Sequence, residues 1–173
     1  MPIDFDSDQP WIENTVVCGP HSGTFDWSIV VARACRLFSP VIKSEIGDAG
    51  ALGTLIRLTM PVLVKRDSKK SRSECVEDSK RRCEEGFYGG GKWFPLLAFP
   101  EGTNGNRKQF LRFKAGAFIP GKPVQPVLIN YPFDEDEYSN DLISWPHFGR
   151  SIPRTLLMCM VRSNKIIITD TFL

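Results

Sequence analysis

Histidine is scarce in this chain, with two among 173 residues, and none of the five cysteines (Cys18, Cys35, Cys75, Cys83, Cys159) stands in a Cys-x-x-Cys pair. Scattered thiols in odd number are expected to be reduced small core residues in a cytosol-like compartment, not a disulfide framework or a zinc site. The longest apolar approach, Ala51 to Val64, is broken by Arg57 and Pro61. That is too short to span a bilayer and reads as a core helix followed by a strand, with a lipid-touching surface as the compatible second reading. The segment Met1 to Asp6 has neither the basic start nor the apolar run of a signal peptide. Charge is nearly balanced, at net +2. This argues against nucleic acid as a partner while permitting local basic patches.

Three further motifs are missing. Gly89 to Gly91 is not followed by Gly-Lys-Ser/Thr, so it reads as a turn and not a phosphate loop. Gly19-Pro-His-Ser-Gly23 puts Ser22 at the wrong offset for a Gly-x-Ser-x-Gly nucleophile elbow. Asp4, Asp6 and Asp8 mimic the opening of a calcium loop, but Gln9 stands where Gly is needed and Thr15 where Glu is needed. No metal site is expected.

What is present is an alternation of short apolar runs and longer amphipathic ones. Residues 1–13 read as an irregular N-terminal segment and 14–173 as one domain. Strands are expected at Thr15–Cys18, Pro40–Ile46, Pro61–Lys65, Phe94–Phe99, Val124–Tyr131 and Lys165–Thr169. Helices are expected at Phe25–Leu37 with Thr24 as N-cap, at Ala49–Thr59, at Lys69–Glu85 capped by Asp67 or Ser68 and stopped by Gly86, and at Arg150–Val161. In the third of these, Glu77 with Arg81 and Asp78 with Arg82 have i,i+4 pair spacing, and the run reads as a solvated face with a narrow buried stripe of Val76, Cys83 and Cys75. The alternation predicts an α/β domain with a mixed, centrally parallel sheet flanked by helices. In such a sheet, functional loops gather beyond the carboxyl ends of the strands. Loops 19–26 and 100–107 both leave strands there.

The first loop holds His21 and, five positions on, Asp26. A histidine on a turn and a carboxylate opening the next helix can meet as a general base and its orienting group. The second loop supplies Glu101, Gly102, Thr103 and Arg107. Glu101 reads either as a group that orients substrate hydroxyls or as a loop carboxylate pairing Arg107 or Lys114.

These residues carry a resemblance. Pro20-His-Ser-Gly-Thr-Phe-Asp26 resembles the His-x-x-x-x-Asp box of the glycerolipid acyltransferases, and Phe99-Pro-Glu-Gly-Thr103 their Phe-Pro-Glu-Gly-Thr box. Val62-Leu-Val-Lys-Arg66 and Val124-Gln-Pro-Val127 resemble the two remaining boxes, in the same order. Asn104-Gly-Asn-Arg107 and Phe113-Lys-Ala-Gly-Ala-Phe-Ile-Pro-Gly121 are similar to the lysophosphatidylcholine/lysophosphatidylethanolamine acyltransferase branch. The resemblance implies acyl-CoA-dependent acylation of a lysophospholipid hydroxyl, with acyl-CoA as co-substrate and no bound cofactor. His21 would be the base and Asp26 its orienter. Arg66, Arg107 and Lys114 would contact substrate phosphates, and Glu101, Gly102 and Thr103 would border the substrate. Backbone amides near Gly23 or Gly102 are the candidate oxyanion donors.

Two departures shape the expectation. Many relatives have Arg directly after Glu-Gly-Thr, where this chain has Asn104. That favours a zwitterionic acceptor over lysophosphatidate, the 1-acylglycerol-3-phosphate alternative. Hydrophobic anchoring segments are missing, so the domain is expected to be a piece, truncated at its C-terminus, of a longer membrane-associated protein of the endoplasmic reticulum. A thioesterase or lipase using the same site, and a non-catalytic lipid- or acyl-CoA-binding module, are the competing readings.

Overall fold

The computed structural model describes residues 3–5, 15–23, 26–48, 50–87, 91–105, 111–130 and 166–169. Their strands form one seven-stranded sheet: β1 (Ile3–Phe5), β2 (Thr15–Gly19), β3 (Ser39–Lys43), β4 (Val62–Val64), β5 (Leu96–Ala98), β6 (Val124–Asn130) and β7 (Ile166–Thr169), in spatial order β1-β7-β6-β2-β5-β3-β4. Every pairing is parallel except β6 with β7. The centrally parallel sheet with an antiparallel excursion is the expected α/β architecture.

The centre of the sheet follows from the run Leu96-Leu97-Ala98, buried throughout as parallel strands covered on both faces are. Neighbouring side chains on a strand point to opposite faces. Leu97 joins Ile29 and Val30 of α1 (Asp26–Ala34), Phe38, and Val127 and Ile129 of β6 in one core cluster. Leu96 joins Val62 and Phe87 in a second, against Cys75 and Cys83 of α4 (Lys69–Glu85) and Trp93. Helix α1 therefore closes one face and α4 the other. Two short helices, α2 (Ser44–Gly47) and α3 (Gly50–Arg57), carry the chain from β3 to β4.

Several expectations are corrected. The segment read as irregular contains β1, which pairs with β7 in the register Ile3↔Ile166; three residues are too few for alternation to register as a pattern. The strand expected at Pro40–Ile46 stops at Lys43, and Ser44 opens α2. The Glu77–Arg81 pair is not made: Glu77 faces Lys80 at 3.5 Å, and Arg81 bonds Asp78 and Glu85. Helix α4 is not simply a solvated face, because Arg82 is buried. Its guanidinium donates to the carbonyls of Met60 and Pro61, reaches Asp78 at 2.9 Å and lies over the Trp93 ring. A cation is tolerated there because its donors and its flat face are matched.

The caps of α4 agree with the sequence. Ser68 Oγ accepts from Ser71 N, and Gly86 ends the helix with φ of +81°. Thr24, Arg107 and the helix expected at 150–161 lie outside the described residues.

Candidate active site

Strands β2 and β5 are parallel neighbours in the register Val17↔Ala98. Counting forward from that pair, the loops after both strands emerge side by side at one end of the sheet. The sequence thus places His21 and Glu101 together, although they lie 80 residues apart.

Asp26 opens α1 and is fully buried. Its Oδ2 accepts from His21 Nδ1 at 2.9 Å, from the amide of Ser22 at 2.9 Å and from that of Gly23 at 3.0 Å. A carboxylate oxygen accepts, so Nδ1 carries the hydrogen of this bond, and in a neutral imidazole the lone pair would sit on Nε2. The imidazole retains 20% exposure and stacks on Phe99, with ring centroids 4.0 Å apart. Ring packing and Asp26 together hold the orientation of the imidazole.

Glu101, only 3% exposed, holds the two loops together. One carboxylate oxygen accepts from the His21 amide at 3.2 Å and the other from the Leu111 amide at 3.4 Å. Gly105 completes the clasp, its amide donating to the His21 carbonyl at 2.6 Å. A Cβ on Gly105 would stand 3.3 Å from Glu101 Oε2, a tight contact that the carboxylate would have to shift to relieve. Gly102 has φ of +68°, a conformation that glycine adopts freely.

Of the amides near Gly23 and Gly102, the region considered for oxyanion donors, those of Gly23 and Gly102 themselves are committed inside the protein. Gly23 N donates to Asp26, and Gly102 N donates to Phe99 O at 2.9 Å. Sequence spacing cannot reveal that each loop uses its own amide to hold its turn.

Behind Phe99 lies a cavity of about 640 Å³, within the range of ligand sites. Phe99 is shared: its ring carries His21 and also lines the cavity. Among the described residues, the walls are largely apolar, from Val41, Val64, Val76, Leu96 and Ala98, with Arg66, Arg72 and Lys114 as the charged groups and no carboxylate. Burial pulls the Arg66 guanidinium below its ordinary value, partly offset by the Glu45 carboxylate. Burial and Asp78 push the Cys75 thiol in the same wall upward, against the opposing pull of Arg82.

The expected residues thus fall into two adjoining groups. His21, Asp26 and Glu101 form the loop cluster, and Arg66, Gly102 and Lys114 border the cavity. Thr103 is exposed and does not line the cavity. Arg72, Phe99 and Gly105 were not singled out as site residues. Phe99 and Gly105 had a signal, since both sit within the quoted boxes. Arg72 had none, because its place depends on α4 packing beside β4, where its guanidinium bonds the Arg66 carbonyl. Among the described residues, no three His, Cys, Asp or Glu side chains gather as metal ligands, and no helix is long and apolar enough to cross a membrane.

Comparison with known proteins bears on the family and the fold. The chain is 41% identical over 141 residues to the human lysophospholipid acyltransferase LPCAT4, covering 82% of this chain and 25% of that protein. It is 45% identical over 130 residues to the rat lysophosphatidylcholine acyltransferase 1, covering 75% and 22%. The chain therefore spans about a quarter of the length of these curated relatives. The crystal structure of the 1-acyl-sn-glycerophosphate acyltransferase PlsC from Thermotoga maritima has the same fold, with a TM-score of 0.58 at 19% identity, over 96% of this chain and 58% of that one. Residues 6–130 match the family described as Acyltransferase, and the chain belongs to that family.

Proposed function

We propose that this chain is the catalytic domain of an acyl-CoA-dependent lysophospholipid acyltransferase, acting within a longer membrane-associated protein of the endoplasmic reticulum. The observation that carries the reading is the 2.9 Å bond between His21 and buried Asp26, beside an apolar cavity with cationic walls. Nε2 of His21 takes the proton from the acceptor hydroxyl as its oxygen attacks the thioester carbonyl carbon. The tetrahedral intermediate collapses, the carbon–sulfur bond breaks, and the proton on Nε2 passes to the departing CoA thiolate. Asp26 holds the tautomer and stabilises the imidazolium between these steps. The cavity suits an amphiphile: its apolar walls take an acyl chain, and Arg66, Arg72 and Lys114 meet phosphate. By the resemblance alone, Thr103 and Arg107 are further candidate contacts to the acceptor. Glu101 acts chiefly by positioning the His21 backbone. Asn104 favours lysophosphatidylcholine or lysophosphatidylethanolamine as acceptor, and the names of the relatives support lysophospholipid chemistry.

The test is thiol release from acyl-CoA by the full-length protein in membranes. Release is expected only when a lysophospholipid is added, and His21→Ala should lower it about 10²–10⁴-fold. Undiminished turnover in that variant overturns the mechanism. Thiol release without acceptor identifies a thioesterase, fatty-acid release a lipase, and binding without turnover a lipid-binding module. A lysolipid panel that includes lysophosphatidate separates the acceptors.

A further inference from the structure

The chain between Glu101 and Asp134 has Arg107, Lys108, Arg112, Lys114 and Lys122 and no carboxylate. In a protein of net charge +2 this is a local excess of one sign. The same stretch exposes large apolar side chains: Phe113 is 47% exposed, Phe118 42% and Ile119 44%. Arg112, Lys114 and Lys122 are exposed among them. This differs from the outer face of α4, where charges of both signs pair with one another.

The segment is held to the site. Leu111 N donates to Glu101, Lys114 N donates to Pro100 O at 2.8 Å, and a 3-10 turn at Ala115–Ala117 presents Phe118 and Ile119. Ile119 and Lys114 are exposed and also line the cavity, so both stand on its rim. Aromatic and aliphatic side chains interleaved with cations, at the rim of an apolar cavity, match the headgroup level of a bilayer containing anionic lipid.

We infer that residues 111–122 form an interfacial collar that rests on an anionic bilayer surface. Phe113, Phe118 and Ile119 enter at headgroup depth, while Arg112, Lys114 and Lys122 meet lipid phosphates. The collar gives an amphiphile a route from bilayer to cavity that does not cross water. The role in substrate delivery rests on the function proposed above; the contact with the bilayer does not.

The test therefore reads contact and not turnover. A photocrosslinking amino acid is placed at position 118 of the full-length protein, and in parallel at position 73 on the outer face of α4. The protein is reconstituted in phosphatidylcholine vesicles with or without about one-fifth phosphatidylserine, and adducts are identified by mass spectrometry. Position 118 should yield lipid adducts and position 73 should not. The yield should rise at least about threefold with phosphatidylserine, and high salt or the pair Arg112→Gln and Lys122→Gln should reverse that rise. Adducts at 118 to another part of the chain, to a second copy, or to nothing overturn the collar. A lipid yield indifferent to phosphatidylserine overturns its charge recognition. Lipid adducts from a protein that turns over nothing uphold the collar while removing the acyltransferase reading.

Discussion

At the carboxyl end of β2, His21 lies on Phe99 and bonds Asp26; beside α4, Arg82 lies over Trp93 and bonds Asp78. Both clusters combine a flat nitrogen-bearing group, an aromatic ring and a carboxylate. They differ in what is left over. Arg82 spends its donors on Asp78, Met60 and Pro61, and its side chain is 7% exposed. Nothing of it faces a substrate, and its work is to join α4 to the turn before β4. His21 gives one nitrogen to Asp26 and keeps the other, with 20% of the side chain exposed. A charged or aromatic cluster is a candidate for chemistry when its geometry leaves one group unspent, and a brace when it does not.

The sharpest way to break this contrast is Asp26→Asn in the full-length protein. The amide oxygen can still accept from His21 and from the Ser22 and Gly23 amides, but it carries no charge to stabilise the imidazolium. Turnover should fall about 10²–10⁴-fold with secondary structure retained by circular dichroism. A fall of less than about tenfold would leave the two clusters indistinguishable by function.

Arg82→Met probes the other side. It leaves the Met60 and Pro61 carbonyls without their donor and Asp78 with Arg81 alone, and should lower unfolding free energy by about 3 kcal/mol in denaturant titration. Specific activity of the folded fraction should stay within about twofold. Abolished turnover in a folded variant would show the brace to be part of the site. The smallest expected effect is Ser68→Ala, which removes the α4 cap: about 1 kcal/mol in the same titration, with turnover unchanged.

The sequence was most legible where chemistry and local pattern coincide. His21 and Asp26 sit on one turn, so their meeting is a short-range event, as are the Ser68 cap and the Gly86 stop. The sheet was legible from the alternation of runs, although β3 was read too long because Ile46 continues its apolar pattern after Ser44 has opened α2. What was not legible depends on contacts between distant segments. Arg82 looks like a surface ion until Met60, Pro61 and Trp93 surround it. Arg72 looks the same until α4 packs beside β4. The amides of Gly23 and Gly102 look available until the turns that consume them are built.

The carboxylate of Glu101 carries a kinetic consequence. It bonds a backbone amide 80 residues away, and α1, β3, α2, α3, β4 and α4 all lie in the intervening chain. The separation is smaller than that of the Val16↔Gln125 and Ile3↔Ile166 pairings but far exceeds any contact within a helix, so loop-closure entropy opposes it until β2 and β5 are paired. His21 therefore gains its final orientation only once the centre of the sheet has closed. An early intermediate with α4 and its brace already formed would have native-like helix content and no working site. Recovery of activity during refolding should lag recovery of helical signal, and the lag times the closing of the sheet's centre.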